Sequence, residues 1–354
     1  MKRKYFLPVF LLFQILLVKI LAFFPGFIEN YYSRGVYPVL SRSFRFLLGW
    51  IPFSVGDLLY FLLIFFILKW IWKSRQGFFT NWKANGLTIL RFLSVLYFLF
   101  HVLWGFNYYR TPLHEKLQID KEYSYQQLFQ LTHQLVVKTN ALQKQIEKDT
   151  TKAVFYAYSE AEMYALAPKG YDKLTTRFPD FKYSNSSIKS SLLSLPLSYM
   201  GFGGYLNPFT NEAQVNDRKP KYTSPLTISH EMGHQMGIAS ESECNFIGFM
   251  AAISHDDLYF QYSAYSFALN YCLYNLEMMK EGSSLSFKSL INKGVLQNFK
   301  ESKRFWQQHQ TPINDFFEYF YDHFLKLNQQ KDGMESYSKF VGLLLNYNLK
   351  KQVI

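Results

Sequence analysis

Ser224-Pro-Leu-Thr-Ile-Ser-His230-Glu231-Met-Gly-His234-Gln-Met-Gly237 is the stretch on which the reading of this chain turns. Residues four apart on a helix share a face, so His230 and His234 present two imidazoles to one metal ion. Glu231 sits one residue along, beside that face, where it can hold and deprotonate a water molecule on the metal. The helix is well marked in the sequence. Ser224 suits the N-cap, Pro225 the first helical position, and Gly237 the left-handed residue that ends a helix. Two histidines at this spacing also arise by chance, so a third donor is required.

Residues 238–252 offer one. Ser240 and Glu243 have capping-box spacing, which gives Glu243 a structural role and leaves Glu241 free. Glu241 opens a second helix directly after a glycine-containing turn that folds it back toward the histidines. Glu241 is therefore the expected third ligand, with Glu243 and His255 as the alternatives. Two imidazoles, one carboxylate and an open fourth position suit a catalytic Zn2+ ion. Asn245 lies four residues beyond Glu241 on the same face and is expected to hydrogen-bond a ligand histidine from behind.

Upstream, residues 192–217 read as two short strands around an Asn207-Pro-Phe-Thr-Asn211 turn. Gly201, Gly203 and Gly204 allow close backbone approach there. Downstream, Asp256 or Asp257 caps a helix reaching about Lys280. Tyr262 and Tyr265 share one face of it, and either hydroxyl is a candidate to stabilise an oxyanion; the bland alternative is a place in the core.

The N-terminal third differs from the rest in composition. Residues 1–110 hold 13 Lys/Arg against 2 Asp/Glu, whereas residues 111–354 hold 25 against 24. The net charge of +12 therefore belongs almost wholly to the first region. Nothing in that placement calls for a nucleic-acid partner; it reads as charge flanking membrane helices. Three apolar stretches, at about 5–24, 55–72 and 87–106, each approach the ~20 residues that a bilayer requires. Residues 29–52 mix Arg34, Arg42 and Arg45 with aromatics and read as an amphipathic helix lying on the membrane. Lys2, Arg3, Lys4, Lys73, Arg75 and Lys83 outnumber the three arginines, which favours a cytoplasmic N-terminus. With three spans, the remainder of the chain then lies on the periplasmic or extracellular side of the cytoplasmic membrane. Cys244 and Cys272 make no disulfide framework and read as small buried residues.

From Arg110 the pattern is that of a second domain, residues 111–354. An amphipathic helix runs from Ser124 to Glu147, a short strand is expected at 154–158, and Ser159 with Glu162 begins another helix by a capping box. Residues 182–189 read as a polar loop. Thr311-Pro312 starts a helix rich in Phe and Tyr. Lys331-Asp-Gly333 breaks it before a final helix at 336–347.

Glu241-x-x-x-Asn245 following His230-Glu-x-x-His234 resembles the gluzincin pattern, with Asn245 where that pattern carries Asp. The three spans, Gly204-Tyr-Leu-Asn-Pro-Phe-Thr-Asn-Glu-Ala-Gln-Val-Asn216, His230-Glu-Met-Gly-His234 and Glu241-Ser-Glu-Cys-Asn-Phe246 together resemble a bacterial membrane family, domain of unknown function 3810. The resemblance implies a mainly α fold: three N-terminal transmembrane helices, then a zincin-like α+β metallopeptidase domain with a small sheet and an active-site helix. It implies a zinc-peptidase-like protein of undescribed substrate. From the residues themselves the expectation is a membrane-anchored zinc-dependent peptidase acting on a peptide or protein; the stretch at Gly203, Gly204 and Tyr205 is either an edge strand that pairs with extended substrate or an ordinary hairpin packed on the helix. A non-enzymatic scaffold that keeps the fold, and a zinc hydrolase of a non-peptide bond, are the competing expectations.

Overall fold

The computed structural model describes residues 3–328 and 336–354. The first region is built of helices: α1 (Phe6–Leu21), α2 (Tyr37–Leu48), α3 (Val55–Ser74) and α4 (Trp82–Leu103). Among the described residues two helices, Val55–Gly77 and Trp82–Leu103, are long and apolar enough to cross a membrane. The third expected span is conditional. At 16 residues α1 is about 24 Å long, short of a ~30 Å hydrocarbon core. It qualifies only if Phe6–Leu21 and Pro25–Leu48, bent by 99°, form one broken span. The apolar side chains of α3 point outward, Leu62, Phe65, Phe66 and Trp72 among them, as lipid-facing residues do. Helix α1 runs parallel to α4: Arg91 donates to the Lys4 carbonyl at 2.8 Å, and Gln14 to the Ser94 hydroxyl at 3.1 Å.

The amphipathic segment has its faces inverted relative to a soluble helix. A π-helical stretch, Ile28–Val36, leads into α2. Ser33, Tyr37, Ser41 and Arg45, spaced four apart, are all buried, whereas Val36, Val39, Phe46, Leu47 and Trp50 are exposed. A polar stripe turned toward protein and an apolar stripe turned outward suit a helix lying against lipid.

The rest of the chain packs as a helical body around a three-stranded sheet. Helix α5 (Tyr125–Glu147) begins with a complete capping box from Ser124 and Gln127. Ser159 and Glu162 form a second box at the next short helix, as their spacing predicts. Strands β1 (Ile188–Ser190), β2 (Gly204–Leu206) and β3 (Ala213–Val215) lie in the order β1-β3-β2, with β1 parallel and β2 antiparallel to β3. The expected hairpin is thus present, with β2 as an edge strand, and the expected polar loop at 182–189 supplies β1. Residues 154–158 are not a strand, and Ser194–Met200 is a short helix.

Helices α6 (Ser224–Gln235), α7 (Glu241–Ser254) and α8 (Leu258–Met279) form the centre. Ile228, Met232, Phe246, Phe249, Phe260 and Leu269 are fully buried there. Each such side chain contributes roughly 1.5–3 kcal/mol by leaving water. Cys244 and Cys272 are free and buried, as expected. Helices α9 (Lys293–His309), α10 (Pro312–Leu327) and α11 (Ser336–Lys351) complete the body. The expected break at Lys331-Asp-Gly333 lies outside the described residues.

The two regions are joined by more than a chain crossing. The first turn of α3 is held by the helical body: Gly56 N–H donates to Glu212 at 2.6 Å, and Asp57 accepts from Ser191 at 2.9 Å and from the Tyr205 hydroxyl. Glu212 and Asp57 are both fully buried, so these are charge-assisted bonds shielded from water.

Candidate metal centre

Helix α6 begins one residue earlier than its sequence suggests, with Thr223 at the N-cap position and Pro225 in the first turn. It ends as expected. Gly237 has φ +85°, and a Cβ there would meet the Tyr37 ring at 2.8 Å, so glycine is required by conformation and by space. The reversal turns α7 back across α6 and brings Glu241 to the two histidines.

The three side chains converge. His230 Nε2 and His234 Nε2 are 3.0 Å apart, His230 Nε2 lies 3.2 Å from Glu241 Oε2, and His234 Nε2 lies 3.6 Å from Glu241 Oε1. Tetrahedral bonds of 2.0–2.1 Å place neighbouring ligand atoms about 3.3 Å apart. Both imidazoles have their far nitrogen occupied. His230 Nδ1 meets Asn245 Oδ1 at 2.8 Å, and His234 Nδ1 meets the Ile238 carbonyl at 2.7 Å. Because a carbonyl only accepts, His234 carries its proton on Nδ1 and turns the Nε2 lone pair to the centre. Two lone pairs and a carboxylate at this distance repel one another unless a proton or a metal ion lies between them. The same demand appears in the titration of the pair. Burial works against the charged form of each, yet Cys244 and Glu241 push His234 well above its usual value, and His234 and His230 hold Glu241 well below. A metal ion meets that demand, so the residues fit the group that the sequence leads one to expect.

Cys244 enters the neighbourhood as well; ligand atoms of His230, His234 and Cys244 lie within 4.8 Å of one another. Its sulfur is 3.2 Å from His234 Nδ1, the side of the ring facing away from the Nε2 cluster. Burial also raises the thiol to about 11, and a thiol is a poor ligand. The His-His-Glu set is the better-formed site.

Glu231 is buried against the edge strand. A Cβ on Gly204 would lie 2.8 Å from Glu231 Oε1, so only glycine admits the carboxylate there. Glu231 Oε2 has no hydrogen-bond partner, an orphaned acceptor next to the donor cluster. Burial raises the Glu231 carboxyl above its ordinary value, against the pull of the histidines.

His230, Glu231, His234, Glu241 and Asn245 line a single cavity of about 940 Å³, as do Gly203, Gly204 and Tyr205. Tyr262 and Tyr265 do not. Tyr262 is buried with its hydroxyl on Asn298 at 2.7 Å, and Tyr265 packs edge-on against Phe249 in the core. Their shared helix face points into the protein. A hydroxyl that does bond to the cluster is that of Tyr321 of α10, which donates to Glu241 Oε1 at 2.6 Å. Its sequence neighbourhood, Phe316-Phe-Glu-Tyr-Phe-Tyr321, carries no local mark that separates it from the other aromatics. The expected Ser240–Glu243 capping box is absent. Ser240 makes no cap hydrogen bond, and Glu243 instead accepts from Leu113 N–H at 2.6 Å. His255 lies away from the cluster, bonded to the Leu166 carbonyl at 3.1 Å.

A mainly helical protein with two to three membrane-length apolar helices and a buried cluster able to hold a metal ion is the class these observations define. The chain belongs to the family described as "Protein of unknown function (DUF3810)", whose model matches residues 32–345. No curated protein and no solved structure matches it.

Proposed function

We propose that this protein is a membrane-anchored zinc metallopeptidase. The observation that carries the reading is the meeting of two imidazole nitrogens 3.0 Å apart with the two oxygens of the Glu241 carboxylate, at 3.2 and 3.6 Å, and the unpartnered Glu231 carboxylate oxygen beside them. His230, His234 and Glu241 would hold the ion. A zinc ion in such a site supplies a Lewis acid that acidifies water and polarises a carbonyl. Glu231 takes the proton from the attacking water as the new C–O bond forms, then delivers it to the leaving nitrogen as the C–N bond breaks. Tyr321 acts on Glu241 by holding one oxygen and so orienting the ligand. The edge strand β2, running beside Glu231, supports pairing with an extended peptide.

A scaffold that only kept the fold would have no use for a buried carboxylate with an orphaned oxygen, which costs folding energy. The test is metal analysis of the purified full chain together with hydrolysis of a mixed peptide library. About one zinc per chain, and cleavage that is lost in Glu231→Gln, are expected. A metal-free chain, or cleavage that survives Glu231→Gln, would sink the reading.

A further inference from the structure

The cavity is not confined to the helical body. Its wall continues from the histidines to Tyr60 of α3 and to Phe100 and Trp104 at the end of α4, the two helices long enough to cross a membrane. Trp104 stands edge-on to the His234 ring at 5.9 Å. The opposite wall is α10, whose Phe317, Tyr321 and Phe324 line the same space. Phe324 packs on Phe100 at 6.1 Å, so α10 is seated at the end of the α4 span. On its outer side α10 exposes Ile313, Phe316 and Tyr319, and the exposed Phe320 lies at the rim of the cavity itself. A water-facing helix does not present such a face, whereas one resting on lipid does. The edge strand is fixed at the same level, because Tyr205 bonds to Asp57 in the first turn of α3. The donor cluster therefore lies where the apolar spans end. Between it and the ends of these spans the cavity wall is largely aromatic, with Tyr60, Phe100, Trp104, Phe317 and Phe324.

From this arrangement we infer that the site takes a membrane-anchored polypeptide and engages it in the stretch next to its apolar anchor. The extended stretch lies along β2, and the anchor enters between Tyr60 and Phe100 on one side and α10 on the other. This inference rests on the peptidase reading for the cut itself but not for the binding. A free peptide leaves the aromatic part of the cavity unfilled, whereas an anchored one buries apolar surface there and is delivered at high local concentration.

The experiment uses the full zinc-loaded chain in phosphatidylcholine–phosphatidylglycerol vesicles and three probes sharing one mixed cleavable peptide sequence. The first is free, the second is joined directly to a single-span Leu/Ala helix, and the third is joined to that helix through a Gly/Ser spacer of about 15 residues. The spacer keeps the local concentration but removes the anchor from the aromatic part of the cavity. The directly joined probe is expected to be cut about tenfold or more faster than either other probe. In Glu231→Gln, a photoreactive benzoyl-phenylalanine replacing Phe320 is expected to cross-link the directly joined probe alone. Equal cutting of all three probes overturns the inference and leaves the peptidase reading standing. Cross-linking without any cutting by the parent chain supports anchored binding and rejects the peptidase reading. Absence of cross-linking to the directly joined probe overturns the inference whatever the cutting rates.

Discussion

The hydroxyl of Tyr37 lies 3.3 Å from the His234 carbonyl and 3.2 Å from that of Gln235. A residue of the inverted amphipathic helix thus satisfies the end of the helix that carries both histidines. Ser41, one turn on, donates to the Gln235 carbonyl at 2.7 Å, and Arg110 donates to the Gly237 carbonyl at 2.8 Å while forking onto Glu29. Tyr37→Phe keeps the ring and its packing against Trp104 but leaves Asn211 and the helix end short of a partner. A loss of about 1–3 kcal/mol is expected, with a lower unfolding midpoint and weaker metal retention. Thermal unfolding and chelator competition on the detergent-purified chain measure both. An unshifted midpoint would show that the contact contributes nothing.

Asn245→Ala should weaken metal binding without abolishing it. Its carbonyl oxygen orients His230 through Nδ1, and removing such a partner typically costs 10–100-fold in metal affinity. His234→Ala, which removes a donor outright, should lose the ion. Competition with a chromophoric chelator ranks the two; equal retention in both variants contradicts the site.

Glu231→Gln and Glu241→Gln should fail in different ways. The first keeps the metal and the fold but cannot accept a proton, a loss of ~10²–10⁴ in rate. The second replaces a charged ligand by a neutral amide and should release zinc. Tyr321→Phe removes only the bond to Glu241 and should lower metal affinity more than it lowers the unfolding midpoint. Zinc content and peptide hydrolysis are measured side by side. Loss of the metal in Glu231→Gln with retention in Glu241→Gln would reverse the assignment.

Lys219 supplies a pH dependence of stability. It is buried, and burial lowers its ammonium from 10.5 to about 7, with Glu231 pulling the other way. The folded pKa is depressed below that of the unfolded chain, so the unfolded chain binds more protons between these values. Stability should therefore rise with pH from about 7 to 10.5, by at most ~1.4 kcal/mol per unit. Lys219→Met should lack that slope. Unfolding of parent and variant across this range measures the difference, and parallel curves would rule out a depressed Lys219.

The helical body is expected on the side of the membrane opposite Lys73, Arg75 and Lys83. The first turn of α3 and the last of α4 both meet the helical body, so the basic ends of these helices point away from it. Basic residues favour the cytoplasmic side. Reporter fusions after Ile354 that are active only in the cytoplasm would refute this placement.

What the sequence determined by itself was local. The spacing of His230 and His234, the Gly237 reversal, the box at Ser159 and the Asn207-Pro208 turn are set by backbone geometry within a few residues, and each can be read where it stands. Glu241 was accessible for the same reason, since one short turn separates it from the histidines. Other features depended on which way a helix face points. Tyr262 and Tyr265 share a face, but only the packing of α8 decides that it is the inner one. Glu243 has the spacing of a cap, yet Leu113, 130 residues away, takes its carboxylate. Tyr321 meets Glu241 across 80 residues and Tyr37 meets His234 across 197. Such pairs carry no periodic signature, because their energy is gained only after the chain has closed large loops and brought distant helices together. The amphipathic pattern of residues 29–52 was legible, but not that its polar stripe would grip the helix that carries both histidines. Hydrophobic patterning reports how apolar each face is, and only the tertiary structure assigns one face to protein and the other to lipid.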